Sequence, residues 1–236
     1  MKTCLLALAA AVVGGSLQFG SAAEISGKVT LKGTPPPERK IEFDPICGKL
    51  HDTDVYTRFY LVSKDGGLAN VYVYIKSGLA PKTYTAPAEE PVLDQSNCLY
   101  EPYVMGVMTN QPFKIKNSDS LMHNVHATPK APGNEEFNVG QPLKDMVTEK
   151  SFASREVLVR FKCDVHNWMF AYVGVMDHPY FAVTDKDGNY KLPADLPAGT
   201  YTIEAYHLKA GVVTQQVTIG EGEKKTVDFT LEVKPR

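Results

Sequence analysis

"EVLVRFKCDVHNWMFAYVGVM", residues 156–176, places Cys163, His166, the only tryptophan (Trp168) and Met169 in one short turn between two alternating runs. Alternation of period two on both sides predicts a pair of β-strands, and a turn held between fixed strand ends can aim several side chains at one point. The Cys-x2-His-x2-Met spacing sets sulfur, imidazole and thioether donors within seven residues.

The same periodicity runs outward from this hairpin. "ISGKVTL" (25–31), "VYVYIK" (71–76) and "FKIKN" (113–117) read as further strands, separated by Pro-, Gly- and Asp-rich segments such as "KGTPPPER", "KDGG" and "APKTYTAPAEEP". No long amphipathic helix is predicted, although 50–58 and 141–150 have room for a turn or two. The fold class is all-β. From about 178 the strands become short and regularly spaced, with "DKDGNY" reading as a tight Asp-Gly hairpin turn rather than a calcium loop, because the helices and closing glutamate of such a loop are missing.

At the other end, Lys2, the apolar "LLALAAAVVGG" and "SAA" (21–23) read as a secretory signal peptide, so the expected mature chain begins at Glu24 and the protein is exported. The apolar run is shorter than a spanning helix, and no membrane span is expected after cleavage. Without residues 1–23 the chain has 24 basic and 27 acidic residues, a formal charge of −3. Such a balance argues against nucleic acid and against a polybasic membrane contact.

Cys47, Cys98 and Cys163 remain in the mature chain, an odd number for an oxidising compartment. Cys163 has another use beside His166 and Met169. Cys47 and Cys98 are then free to form a disulfide, or to stay as two buried thiols. Upstream, "KIKNSDSLMHNVHATP" (114–129) offers His123 and His126. Two imidazoles, one thiolate and a weak thioether form the donor set that selects copper in an electron-transferring site, whereas a structural zinc site more often shows four Cys or His. In an extended segment positions 123 and 126 face opposite sides, so one of the two histidines belongs to the site. A Cys-His hydrolase is disfavoured, since no oxyanion-hole motif or orienting third group accompanies the pair.

"LMHNVHA" (121–127), followed forty residues after its first histidine by "CDVHNWM" (163–169), resembles the type 1 copper proteins, the cupredoxins, and most closely their amicyanin and pseudoazurin-like branch. The resemblance covers about 98–178. It implies a Greek-key cupredoxin β-sandwich with His123, Cys163, His166 and Met169 as ligands to one copper ion, Asn124 pinning the ligand loop, and His126 outside the site. It further implies an electron carrier rather than an enzyme, working in the periplasm with a redox protein such as a c-type cytochrome or a dehydrogenase, and a partly exposed His166 edge through which electrons pass. Trp168 and Phe170 would either form an apolar docking patch beside that edge or pack inward. "DGNYKLPADLPAGTYTIEAYH" (187–207) resembles the carboxypeptidase regulatory-like, transthyretin-like domains. The expected organisation is therefore a signal peptide at 1–23, a cupredoxin-like domain with an enlarged N-terminal region at 24–178, and a small β-sandwich at 179–236. A copper-binding or delivery protein, or a cell-envelope binding module, is the alternative.

Overall fold

The computed structural model describes residues 23–234, so the expected signal peptide at 1–23 lies, but for its last residue, outside the described residues. Among the described residues there are seventeen strands: β1 (Glu24–Lys32), β2 (Tyr72–Ser77), β3 (Val92–Ser96), β4 (Leu99–Glu101), β5 (Val104–Met108), β6 (Phe113–Asn117), β7 (His123–Thr128), β8 (Phe137–Gln141), β9 (Val147–Lys150), β10 (Glu156–Lys162), β11 (Phe170–Met176), β12 (Phe181–Val183), β13 (Asn189–Lys191), β14 (Gly199–His207), β15 (Gly211–Ile219), β16 (Lys224–Thr226) and β17 (Phe229–Glu232). One 3-10 turn, Cys47–Leu50, is the helical element among the described residues. No described helix is long and apolar enough to cross a membrane.

The strands form two β-sandwiches. In the first, the sheet β5-β11-β10-β7-β8 faces the sheet β4-β3-β6-β9. Strand β6 shows why: Phe113, Ile115 and Asn117 are buried while Lys114 and Lys116 point outward, the pattern of a sheet with one wet face. Phe113, Phe152, Phe161 and Val173 lie in the core between the sheets.

The second sandwich is not confined to the C-terminal part. Its sheets are β12-β2-β14-β15 and β13-β1-β16, with β17 also paired to β1. Strand β1 runs parallel to β17 with Val29 opposite Phe229, and β2 pairs with β14 with Val73 opposite Ala205. The expected boundary between 24–178 and 179–236 is therefore corrected. Residues 24–32 and 72–77 supply a strand to each sheet of the second sandwich, and the first sandwich is inserted between β2 and β12. The physical reason is burial: Ile25, Val29, Val73 and Ile75 are inaccessible to water in one apolar core shared with Ile203, Ile219, Phe229 and Leu231. The "DKDGNY" segment is a tight turn, with Asp185 Oδ1 accepting from the N–H groups of Asp187 and Asn189 and Gly188 at φ +82°.

A third apolar cluster, including Tyr72, Tyr74, Tyr103, Val104 and Met176, joins the two sandwiches. Gly106 and Gly174 sit opposite one another on β5 and β11. A methyl group at 174 would overlap the fully buried Tyr72 ring, and one at 106 would overlap Phe181, so the absence of side chains here lets the second sandwich lie against the first.

Candidate metal centre

Strands β7 and β10 are antiparallel neighbours, with Lys162 opposite His126. The start of β7 thus adjoins the end of β10, and β11 begins beside them with Phe170 opposite Lys162. His123 opens β7, Cys163 follows β10 and Met169 precedes β11. The seven-residue loop is closed by Cys163 N–H donating to Met169 C=O at 3.0 Å and Met169 N–H donating to His166 C=O at 2.9 Å.

This topology brings His123, Cys163 and His166 together. The two Nδ1 atoms lie 3.0 Å apart, Cys163 Sγ is 3.7 Å from His166 Nδ1, and one donor atom from each residue lies within 4.8 Å of the others. All three residues are buried. Met169, 1% exposed, belongs to the same core cluster as Cys163.

Each donor is held from behind. Asn117, at the end of β6, gives its side-chain amide N–H to the carbonyls of Leu121 and Gln141 and accepts from Asp119 N–H, which shapes the turn delivering His123. Asp119 accepts from His123 Nε2 at 2.8 Å, leaving Nδ1 to face the other donors. The same carboxylate accepts from the N–H groups of Asn97 and Cys98, two residues with positive φ in the turn between β3 and β4. Asn124 Oδ1 accepts from Asp164 N–H at 2.6 Å and Val165 N–H at 3.3 Å, and its own N–H points to Cys163 Sγ at 3.5 Å.

The electrostatics follow from these contacts. Burial opposes ionisation of Cys163, but hydrogen bonding with His123 and to the backbone N–H groups of Asn124, His166 and Val165 outweighs it and holds the thiol below its ordinary pKa. Burial likewise opposes a charge on His123, and Asp119 with the Cys163 sulfur raises its pKa regardless. His166 is pushed down, first by burial and then by the positive charge of His123.

His126 lies outside the cluster. Its Nε2 donates to Glu136 at 2.7 Å and its Nδ1 to Asp164 at 2.8 Å. Both nitrogens thus face carboxylates rather than the other three side chains, and the Glu136 hydrogen bond, followed by Asp164, raises its pKa. His178 is tied to the backbone, with Nε2 donating to Ile75 C=O and Nδ1 accepting from Tyr180 N–H.

The partly exposed edge expected for His166 is corrected, since only 5% of this residue is accessible. Residues 39–58 form a strap over it. The strap closes on itself through Ile41 N–H to Val55 C=O and Thr57 N–H to Arg39 C=O, and it is joined to the first sandwich by a Cys47–Cys98 disulfide. Asp44, held by the N–H groups of Ile46 and Cys47, places Oδ2 3.5 Å from His166 Nε2. Trp168 packs inward: its indole donates to Cys98 C=O and its ring lies against His166 and, edge-on, against Phe43 of the strap. Phe170 stacks on Phe59, so neither ring is a free docking patch.

Asp119 and Asp44 are the site residues that sequence reasoning did not assign. The N-x-D turn was visible four residues before His123, whereas "FDPIC" carried no signal beyond its cysteine.

No family model matches the chain, and no curated protein matches it. Among solved structures it is similar to a copper-containing nitrite reductase from Thermus scotoductus SA-01, at 13% identity over 42% of this chain and 25% of that one, TM-score 0.34. It is also similar to a purple cupredoxin from Nitrosopumilus maritimus, at 18% identity over 36% of this chain and 99% of that one, TM-score 0.30. An oxidised mutant of amicyanin aligns at 20% identity over 44% of this chain and 97% of its own, TM-score 0.34. The chain thus spans about a quarter of the length of the nitrite reductase.

Proposed function

We propose that the protein is an exported type 1 copper protein that carries single electrons between redox partners. The observation that carries this reading is the meeting of His123 Nδ1, His166 Nδ1 and Cys163 Sγ within 4.8 Å in a buried position, from the start of β7 and the loop between β10 and β11. The donors fit such an ion chemically. Two imidazole nitrogens 3.0 Å apart need a proton or a cation between them, and a thiol already biased toward thiolate stands beside them. His123, Cys163 and His166 would hold the metal, and Met169 would supply the weak thioether. Copper held there supplies a one-electron couple.

The chain's own residues do the rest. Asp119 fixes the ring of His123, Asn124 fixes the ligand loop, and the strap keeps water from His166, so the donors are already in place before an electron arrives. The N-terminal segment 1–23 and the Cys47–Cys98 disulfide support an oxidising, extracytoplasmic location such as the periplasm. A redox protein, a c-type cytochrome or a dehydrogenase, is the partner this role calls for, and residues 181–232 with β1 and β2 serve as the packing module, of transthyretin-like character.

The test is a visible absorption spectrum of residues 24–236 before and after one equivalent of Cu(II). An intense thiolate-to-copper band that ascorbate bleaches and an oxidant restores is expected, and Cys163→Ser abolishes it. A colourless wild-type protein, or a blue Cys163→Ser variant, overturns the proposal.

A further inference from the structure

The disulfide that pins the strap lies within ligand range of the candidate centre. The sulfurs of Cys47 and Cys98 and a ring nitrogen of His166 are within 4.8 Å of one another, and His166 also belongs to the group with His123 and Cys163. All three residues are buried. As a disulfide the two sulfurs are poor donors, but as thiolates they are soft ligands of the kind that select Cu(I).

We propose that reduction of Cys47–Cys98 creates a second Cu(I) site, with the two thiolates and His166 as donors. A dithiol is the reductant by chemical class. Its two thiols give two electrons and two protons, the Cys47–Cys98 bond breaks into two thiols, and the dithiol closes into its own disulfide. Cu(I) then displaces the thiol protons.

The two cysteines stay close once unlinked, because each is held by other neighbours. Cys98 donates its N–H to Asp119 and accepts from the Trp168 indole, while Cys47 donates its N–H to Asp44. The strap keeps further anchors on the first sandwich: His51 Nε2 donates to Asn97 C=O, Arg58 donates to Tyr100 C=O and Glu101, and Phe43 packs on Trp168. A neutral imidazole offers one lone pair, so the two groups compete for His166 rather than each keeping it. An ion on the thiolates therefore shares a donor with the inner site, and the dithiol is placed to pass Cu(I) to a centre that the strap otherwise closes. This last step, unlike the dithiol site itself, rests on the copper reading above.

The experiment uses the Cys163→Ser variant of residues 24–236, in which the inner thiolate and Cys4 are absent. A phosphine reduces the disulfide, taking its oxygen from water, and is removed. Alkylation of an unfolded aliquot then counts two thiols. Cu(I), added as its acetonitrile complex, is challenged with a Cu(I) chelator. The oxidised variant is expected to lose all its copper, and the reduced variant to retain one Cu(I) per chain with sulfur neighbours in X-ray absorption. Adding Cys47→Ser and Cys98→Ser abolishes that retention.

Equal copper in the oxidised and reduced variants, or retention that survives loss of both cysteines, overturns the proposal. Far-UV circular dichroism of the same samples reports whether the strands persist. Should reduction unfold the variant, the reduced wild-type protein gives a second readout: Cu(I) is expected to protect Cys47 and Cys98 from alkylation, and unhindered labelling at saturating Cu(I) overturns the site. A wild-type protein that never turns blue but whose reduced Cys163→Ser form holds Cu(I) refutes the electron carrier and leaves the dithiol site standing. A blue wild-type protein whose reduced variant holds none does the reverse.

Discussion

Replacing Asn124 by alanine separates the loop-pinning argument from simple burial. The Asn124 side chain accepts from Asp164 N–H and Val165 N–H through Oδ1 and donates through Nδ2 to Asn138 and Asp164. In Asn124→Ala the two loop N–H groups lose their acceptor, and a backbone donor stripped of its partner costs about 1–3 kcal/mol when water reaches it poorly. Asp164 and Val165 are exposed residues, which sets each loss near the lower end, so the sum is about 2 kcal/mol. The contact to Asn138 is nearer the surface, where water substitutes, and Asn138→Ala is expected to cost under about 0.5 kcal/mol. Urea unfolding of the metal-free proteins measures both. If Asn124→Ala costs no more than Asn138→Ala, the Oδ1 contacts do not hold the loop and the reasoning fails. In the copper-loaded protein the same loosening is expected to broaden the visible band and speed loss of the metal to a chelator.

Three other perturbations test separate parts of the molecule. Met169→Gln is expected to leave a coloured protein with a lower reduction potential by voltammetry, because an oxygen donor favours Cu(II); an unchanged potential removes Met169 from the ligand set. His207 is buried with Nδ1 accepting from Ala210 N–H, and burial, aided by the Lys209 charge, depresses its pKa to about 4. Its neutral form is therefore the folded form: stability is full above the unfolded value near 6.5 and falls as the pH drops toward 4, by about 2 kcal/mol at pH 5. Denaturation curves at pH 7 and 5 check this, and a His207→Gln variant with the same acid loss refutes it. Gly174→Ala is expected to destabilise by about 1–3 kcal/mol through overlap with Tyr72, measured by thermal unfolding; a neutral result places the seam between the sandwiches elsewhere.

What the sequence showed depended on how local the cause was. Alternation in "FKIKN" predicted β6, and the odd spacing of His123 and His126 separated the buried ring from the one paired with Glu136 and Asp164. The turn 163–169 was legible because Cys163, His166 and Met169 fall within seven consecutive residues. The partners of β1 and β2 were not, since alternation says that a strand has a buried face but not which distant strand pairs with it, and Val29 lies beside Phe229 on β17. The strap escaped notice for a related reason. Residues 39–58 lack any period, and their position is fixed by Cys98, Asn97 and Trp168, all far along the chain.

Insertion of one sandwich within the other also orders assembly in time. Residues 92–176 contain every strand of the first sandwich and can close as soon as they are made, whereas β1, among the earliest strands synthesised, finds β17 only when residue 232 has emerged. Closure across about 200 residues is slow compared with local pairing. The first sandwich is therefore finished while the other half of the molecule still carries an open strand edge, and a chain cut short before Phe229 would keep that edge exposed for pairing with a second copy.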